Sequence, residues 1–145
     1  MAAYPDTSFL VSLYMTDAHS EKADALMAKT ELPFLLTPFQ ELELINAIYS
    51  RVFRREIRLK EAKASIALFR HDVSSGVYFQ KPFSVAIFER GLRLSQKVTP
   101  RTGLRALDLW HISTALESKA KMFYSFDERQ KRAAVKLGLS VIPSL

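Results

Sequence analysis

Short apolar runs alternate along the chain with longer stretches in which apolar residues recur every three or four positions. A run of a few apolar residues predicts a buried strand, whereas the three-to-four spacing predicts an amphipathic helix. The apolar runs predict four strands, near Ala2–Pro5, Phe34–Thr37, Met122–Ser125 and Ser140–Ile142. Brief apolar strands separated by helices are typical of βαβ units, whose parallel sheet is buried on both faces. The pattern therefore predicts an α/β fold, a three-layer α/β/α sandwich with a small, mostly parallel sheet.

Five helices are predicted between and after these strands, and the first has the clearest start. Thr37, Pro38 and Gln40 form a capping box, with Thr37 as N-cap, Pro38 as the first helical residue and Gln40 as the third. Apolar residues then recur with helical spacing at Leu42, Ile45, Ile48, Tyr49 and Val52. Four further helices are predicted. The second covers about 60–72, and the third begins near Phe83 with a stripe of Ile87, Gly91, Leu94 and Val98. The fourth covers about 104–119, and the fifth follows Asp127. The turn-rich run 99–103 is predicted to be a loop between two helices.

Length and composition indicate one globular domain, residues 1–145. The chain has 145 residues, is 48% hydrophobic and 25% charged, and shows no repeat, low-complexity tract or linker. This length is sufficient to bury a core without disulfides. The absence of cysteine excludes disulfides, thiolate zinc sites and a cysteine nucleophile.

The N-terminal segment shows neither a secretion signal nor a membrane anchor. It lacks a basic region at its start, and the uncharged stretch between Asp6 and Asp17 is too short to span a bilayer. We therefore expect a cytoplasmic protein with no membrane partner.

Charge gives a weak indication of an anionic partner. The chain carries 21 Lys and Arg against 15 Asp and Glu, a net charge of +6, and a basic surface attracts nucleic acid. The densest basic stretch, Arg51–Lys63, also contains Glu56 and Glu61. Its spacing slightly favours a solvated helix surface with local ion pairs over a track for RNA.

Four acidic residues fall where predicted strands end or where the following helices begin. Asp6 comes directly after the first strand, and Asp127 comes directly after the third. Asp108 lies in the first turns of the fourth predicted helix, and Glu43 lies two turns into the first. Ligands of open α/β sheets bind outside the carboxyl ends of the strands. We therefore expect these four carboxylates to share one cleft.

Glu43 and Glu41 are alternative candidates for the acid that the first predicted helix contributes to this cleft. Glu43 shares a helix face with the small or polar residues Asn46, Ala47 and Ser50, so it can face a cleft without entering the core. Glu41 lies in the first turn, where a carboxylate stabilises the helix dipole in any case. The pattern favours Glu43.

Converging carboxylates repel one another, so they must take up protons or bind cations. Oxygen ligands without cysteine or paired histidines select Mg²⁺ or Mn²⁺ rather than zinc. Such an ion can orient and polarise a phosphate and lower the pKa of a bound water molecule. The alternative is that Asp6 and Asp127 act only as helix N-caps, which is a common use of an acid after a strand.

Four segments of the chain resemble, in order, the motif blocks of the PIN-domain nucleases. These segments are Tyr4–Leu10, Glu43–Ile48, Asp108–Ala115 and Ser125–Asp127. Within that family the chain is similar to the VapC ribonuclease toxins of type II toxin–antitoxin modules, in its size and in its lack of appended domains.

The resemblance implies a metal-dependent endoribonuclease that cleaves RNA phosphodiester bonds with water as nucleophile. Asp6, Glu43, Asp108 and Asp127 would be the catalytic acids that hold Mg²⁺, or Mn²⁺ as its substitute. Ser8 would be the catalytic-site hydroxyl that helps to shape this centre. The resemblance further implies a homodimer that is inhibited by a small antitoxin protein.

Two further residues are expected near the predicted cleft. Arg129, two residues after Asp127, is a candidate for binding a substrate phosphate beside the metal. His111 shares a helix face with Asp108, and hydrogen bonding beneath the site is favoured for it over a catalytic role. The alternative function is a non-catalytic PIN-like module that binds RNA or protein, which the presence of all four acids disfavours.

Overall fold

The computed structural model describes residues 2–31 and 33–145. Its strands are β1 Ala3–Pro5, β2 Phe34–Leu36, β3 Tyr78–Gln80, β4 Met122–Tyr124 and β5 Ser140–Ile142. Its helices are α1 Thr7–Tyr14, α2 Ser20–Lys29, α3 Pro38–Phe53, α4 Leu59–Ser74, α5 Val85–Thr102, α6 Ala106–Glu117 and α7 Glu128–Lys136. None of these described helices combines the length and the apolar character needed to span a membrane.

The strands form one sheet in the order β3-β2-β1-β4-β5. Every strand pair in the described residues is parallel, and Ala3 of β1 lies opposite both Phe34 of β2 and Met122 of β4. After β1 the chain builds outward on one side through β2 and β3, then returns to the other side of β1 with β4. The strand order therefore reverses between β1 and β4.

Helices cover both faces of this sheet. One core cluster joins Ala3, Phe34 and Leu36 to side chains of α1, α2, α3 and α4. The other joins Tyr4, Leu35 and Phe123 to side chains of α6 and α7, with partly buried residues of α5 packed against it. Alternate residues of a strand point to opposite faces, which is why neighbours such as Ala3 and Tyr4 enter different clusters. The predicted α/β/α sandwich with its parallel sheet is confirmed.

Three elements were not predicted from the apolar pattern. Strand β3 buries Tyr78 but exposes its other two residues, as an edge strand does, so it contains no continuous apolar run. Helix α1 has only eight residues, and α2 buries only Ala23. Weak or short apolar stripes of this kind do not stand out in the sequence.

The prediction of a loop at residues 99–103 is wrong. Helix α5 continues to Thr102, with Pro100 inside it, and Gly103 ends it in a left-handed conformation with φ of 63°. The Gly103 N–H donates a hydrogen bond to the Thr99 carbonyl oxygen at 2.8 Å. A proline in the last turn removes only one backbone hydrogen bond, and the left-handed glycine then supplies the helix end.

Helix α3 is rotated relative to the apolar stripe predicted for it. Leu44 and Ile48 are fully buried, whereas Leu42 is 64% exposed and Tyr49 is 41% exposed. The predicted capping box is confirmed: Gln40 N–H donates to Thr37 Oγ1 at 3.3 Å, and Thr37 N–H donates to Gln40 Oε1 at 2.8 Å. Gln40 Nε2 also donates to the Pro5 carbonyl oxygen at 2.5 Å, which ties the start of α3 to the end of β1.

Candidate functional site

The four predicted acids line one pocket at the carboxyl end of the sheet. This pocket, here called the acid pocket, has a volume of about 310 Å³ and is lined by Asp6, Glu43, Asp108 and Asp127 among other residues. Asp6 follows β1 and Asp127 follows β4, the two strands between which the strand order reverses. The crevice at such a reversal is the usual ligand site of open α/β sheets.

Asp6 is the most buried of the four acids, with 2% of its surface exposed. It is the N-cap of α1: its Oδ1 accepts hydrogen bonds from Phe9 N–H at 2.9 Å and Ser8 Oγ at 2.7 Å. Its Oδ2 accepts a hydrogen bond from Ser125 Oγ at 2.5 Å. Burial raises the pKa of Asp6 above its ordinary value, although the charge of His111 and these hydrogen bonds oppose the rise. A nearby cation would therefore stabilise the charged carboxylate.

Glu43 is held from two sides. Thr7 Oγ1 donates a hydrogen bond to Glu43 Oε1 at 2.7 Å, and His111 Nε2 lies 2.7 Å from the same oxygen. Partial burial raises the pKa of Glu43, but the contacts with His111 and Thr7 outweigh it, so the pKa lies below its ordinary value. Glu43 is therefore a charged carboxylate with a constrained position.

Behind His111 the chain of contacts continues into the core. Tyr4 Oη lies 2.7 Å from His111 Nδ1, and Tyr4 is fully buried. Burial and the charges of Asp6 and Glu43 raise the pKa of Tyr4 well above its ordinary value. His111 therefore bridges the core and the pocket, with Nδ1 at Tyr4 and Nε2 at Glu43.

Asp127 and Asp108 complete the acid pocket from α7 and α6. Asp127 is the N-cap of α7, and its Oδ1 accepts a hydrogen bond from Gln130 N–H at 3.0 Å. Asp108 is half-buried in the first turn of α6. Buried Gln130 connects the two helices, because its Nε2 donates to the Asp108 carbonyl oxygen at 3.4 Å. Both Asp6 and Asp127 thus cap helices and line the pocket, so the two roles considered for them are compatible.

Ser8, predicted as the hydroxyl that shapes the centre, links two sides of the acid pocket. Its Oγ donates to Asp6 and accepts a hydrogen bond from the Phe126 N–H at 3.2 Å. Ser125 Oγ in turn accepts a hydrogen bond from the Asp127 N–H at 3.0 Å. The two serines therefore join the end of β1 to the turn after β4.

The donor set of the acid pocket fits a hard divalent cation, although the carboxylates are not drawn tightly together. In the described ranges 2–31 and 33–145, no three Asp, Glu or His side chains come close enough to enclose a metal ion. Mg²⁺ commonly keeps several water molecules and binds through one or two carboxylates and a substrate phosphate. Asp6, Glu43, Asp108 and Asp127 supply the type of oxygen ligand that such a hydrated site would use.

The structure separates the two competing glutamates. Glu43 lies in the acid pocket, whereas Glu41 forms an ion pair with Arg70 and lines a different pocket beside Lys81. The two residues lie about 200° apart around α3, since successive residues turn by about 100°. Only one of them can face the end of β1.

Arg129, predicted to bind a phosphate, does not line the acid pocket. Its Nη2 donates a hydrogen bond to the Gly103 carbonyl oxygen at 2.8 Å. The arginine that does line the pocket is Arg105. Arg105, Thr7 and Gln130 were not predicted as pocket residues, because neither a neighbouring acid nor a helical period indicates which polar side chains turn inward.

A larger apolar groove adjoins the acid pocket. It has a volume of about 570 Å³, and its walls come from the start of α3 and from α5 and α6. Four aromatic side chains cluster in it, namely Phe39, Phe83, Phe88 and Trp110. The groove shares Ala106 and Leu107 with the acid pocket. Phe83 and Phe88 are about half exposed, so they are groove residues rather than core residues.

Solved structures share this fold at low sequence identity. VapC20 of Mycobacterium tuberculosis, described as a sarcin–ricin loop cleaving toxin, superposes with a TM-score of 0.70 at 18% identity, covering 91% of this chain and 95% of that one. FitAcB from Neisseria gonorrhoeae gives a TM-score of 0.68 at 14% identity, covering 96% and 95%. VapBC2 from Rickettsia felis, bound to a promoter DNA fragment, gives 0.64 at 15% identity, covering 97% of each chain.

Sequence comparison identifies the family. No curated protein matches the sequence significantly. The family model of the PIN domain, however, matches residues 3–136, a range that begins at β1 and ends with α7 and so includes all four acids of the pocket. This chain therefore belongs to the PIN-domain family.

Proposed function

We propose that this protein is an endoribonuclease that hydrolyses RNA phosphodiester bonds with the help of Mg²⁺, or of Mn²⁺ as its substitute. The observation that carries the proposal is the convergence of four carboxylates from four chain segments on one pocket of a PIN-domain chain. Asp6 and Asp127 lie directly after or near the ends of β1 and β4, and Glu43 and Asp108 lie in α3 and α6.

Asp6, Glu43, Asp108 and Asp127 would hold the cation. When bound, Mg²⁺ would offset their repulsion, orient the scissile phosphate and make a water molecule more nucleophilic. The chain's own contribution is to hold the carboxylates ready: Asp6 and Asp127 are tied to the first turns of α1 and α7. Pre-positioned groups of this kind need little rearrangement when substrate binds.

RNA is the substrate class supported by the similar structures. VapC20, which shares the fold over most of both chains, is described as cleaving the sarcin–ricin loop, an RNA element. A net charge of +6 also favours a polyanionic substrate.

We further propose that the protein is the toxin of a type II toxin–antitoxin pair, acts as a homodimer and is inhibited by a small antitoxin. The similar structures support an antitoxin partner, since they include VapBC2 and a toxin–antitoxin complex from Klebsiella pneumoniae. The apolar groove supports a protein partner, because large exposed apolar patches are uncommon on monomers. We assign the groove to the second copy of this chain.

Replacing the pocket acids tests the nuclease proposal. We expect Asp6→Asn and Asp108→Asn to lower RNA cleavage in Mg²⁺ by about 100-fold or more, because metal-assisted charge stabilisation contributes several kcal/mol. The matched control is Asp24→Asn, which removes one exposed carboxylate from α2 outside the acid pocket and should cleave like wild type. Circular dichroism checks that each variant is folded, and a chelator should abolish wild-type activity.

Two results would contradict the proposal. Unchanged cleavage by both pocket variants would show that the acids do not form the active site. Calorimetry that detects no Mg²⁺ or Mn²⁺ binding to a folded, inactive wild-type protein would instead favour a non-catalytic module that binds RNA or protein.

A further inference from the structure

Arg105 occupies an unusual position beside the acid pocket. Within the part of the chain that the structure describes, it is the one Arg or Lys that lines the pocket together with the four acids. Its side chain is exposed, whereas its backbone is fixed by the Leu109 N–H, which donates to the Arg105 carbonyl oxygen at 3.0 Å. The neighbouring Leu104 is buried. Arg105 is therefore an exposed cation whose backbone is anchored at the start of α6.

The Arg105 guanidinium has no partner among the described residues. It forms no ion pair within 4.0 Å with any carboxylate of residues 2–31 and 33–145, and its side chain makes no capping hydrogen bond at the start of α6. Other arginines of the chain are engaged, such as Arg54 with Glu56, Arg90 with Glu117 and Arg129 with the Gly103 carbonyl oxygen. Arg105 thus keeps all five N–H donors available to a ligand.

We infer that Arg105 binds a phosphate of the RNA backbone beside the scissile bond, an inference that rests on the proposed nuclease function. RNA that approaches four carboxylates is repelled, and a cation at the edge of the pocket reduces this repulsion. The planar guanidinium fork matches phosphate oxygens in a bidentate geometry that lysine does not reproduce. Arg105 is the N-cap residue of α6 and Asp108 lies in its first turn, so the start of one helix positions both a pocket acid and the phosphate contact.

The competing role is that of a counterion that only balances the charge of the four acids. The two roles predict different results when Arg105 is replaced. A counterion weakens metal binding by its positive charge, so its removal would tighten binding of Mg²⁺ or Mn²⁺. A phosphate contact contributes to RNA affinity and to the salt dependence of that affinity.

The test measures binding of a fluorescein-labelled, single-stranded RNA oligonucleotide by anisotropy in Mg²⁺. All proteins carry Asp6→Asn to prevent cleavage. We expect added Arg105→Gln to weaken RNA binding about tenfold, as the loss of a charge-assisted contact does, and to reduce the salt slope by about 0.7. Arg105→Lys should bind with intermediate affinity. The matched control is Arg93→Gln, which removes the same charge from an exposed side chain of α5 outside both the acid pocket and the basic stretch Arg51–Lys63.

Wild-type cleavage and Mn²⁺ calorimetry complete the design. If wild type cleaves RNA but Arg105→Gln binds RNA like Arg93→Gln, the inference about Arg105 is overturned while the nuclease proposal stands. Tighter Mn²⁺ binding with an unchanged salt slope would likewise overturn it in favour of the counterion role. If wild type neither binds nor cleaves RNA, both proposals fail.

Discussion

Single residues show how a buried network beneath the acid pocket controls the position of one carboxylate. Tyr4 contributes nothing to the pocket lining, yet its hydroxyl fixes the orientation of the His111 ring, and His111 contacts Glu43. Groups that orient a metal-binding carboxylate from behind commonly affect affinity or activity by about 10–100-fold. Tyr4 is therefore expected to act as a positioning residue.

Tyr4→Phe is expected to affect both stability and activity. The change removes the partner of His111 Nδ1, so the free energy of unfolding should fall by about 1–2 kcal/mol. RNA cleavage should fall about tenfold, because Glu43 loses part of its constraint. Denaturant unfolding measures the first effect, and initial rates with RNA measure the second.

Tyr14→Phe is the matched control for this prediction. Tyr14 Oη also has buried hydroxyl contacts, at 2.7 Å from Asp72 Oδ2 and 2.6 Å from Tyr78 Oη, but it lies outside the acid pocket. It should lose comparable stability without losing activity. Equal cleavage by the two variants would mean that Tyr4 only stabilises the core.

Among the helices, the junction between α5 and α6 has the closest connection to the site. Gly103 ends α5 in the left-handed region, Arg129 of α7 donates to its carbonyl oxygen, and Leu104 then enters the core just before Arg105. The junction therefore sets the start of α6, which supplies Arg105 and Asp108 to the pocket.

Gly103→Ala is expected to strain this junction. An L-residue with φ of 63° costs about 1 kcal/mol, so the melting temperature should fall and RNA cleavage should fall with it. Gly138→Ala is the control, since Gly138 also has a positive φ, of 93°, but follows α7 away from the pocket. It should lower the melting temperature without a comparable loss of activity. Full activity of Gly103→Ala would show that the junction does not position the pocket residues.

The elements also differ in how far local patterns predict them. The capping box at Thr37 and Gln40 was predicted correctly because its hydrogen bonds join residues three positions apart. The end of α5 was predicted wrongly, since Thr99–Gly103 is rich in turn-forming residues, whereas packing against α6 favours a longer helix. The rotation of α3 about its axis likewise depends on its packing against α1 and α4.

At the scale of the whole molecule, the apolar groove is notable because large apolar side chains are exposed in it when the chain is alone. Leu92 in this groove is 69% exposed, and it lies near Phe83 and Phe88, which are 58% and 49% exposed. Burial of such side chains contributes about 25 cal/mol for each Å² of apolar surface removed from water. A second copy of the chain would gain this contribution by covering the groove.

Leu92→Lys is expected to convert a dimer into a monomer. A lysine in the groove would bring an unpaired charge into the interface, which is costly to bury. The control is Phe53→Lys, because Phe53 is 88% exposed on α3 but does not line the groove. Light scattering after size-exclusion chromatography gives the mass of each. A dimeric Leu92→Lys protein would place the interface elsewhere.

The sequence by itself determined the layers of this protein and the order of its acids. Local periodicity is enough to predict the buried strands and the amphipathic helices. Asp6 and Asp127 lie between a strand and a helix, where an acid is a good N-cap. The face shared with small residues on α3 already favoured Glu43 over Glu41, whereas the tertiary structure alone decided that Arg105 rather than Arg129 lines the pocket. A side chain's direction depends on how its helix is rotated and packed, and that rotation is set by contacts between residues far apart in the chain.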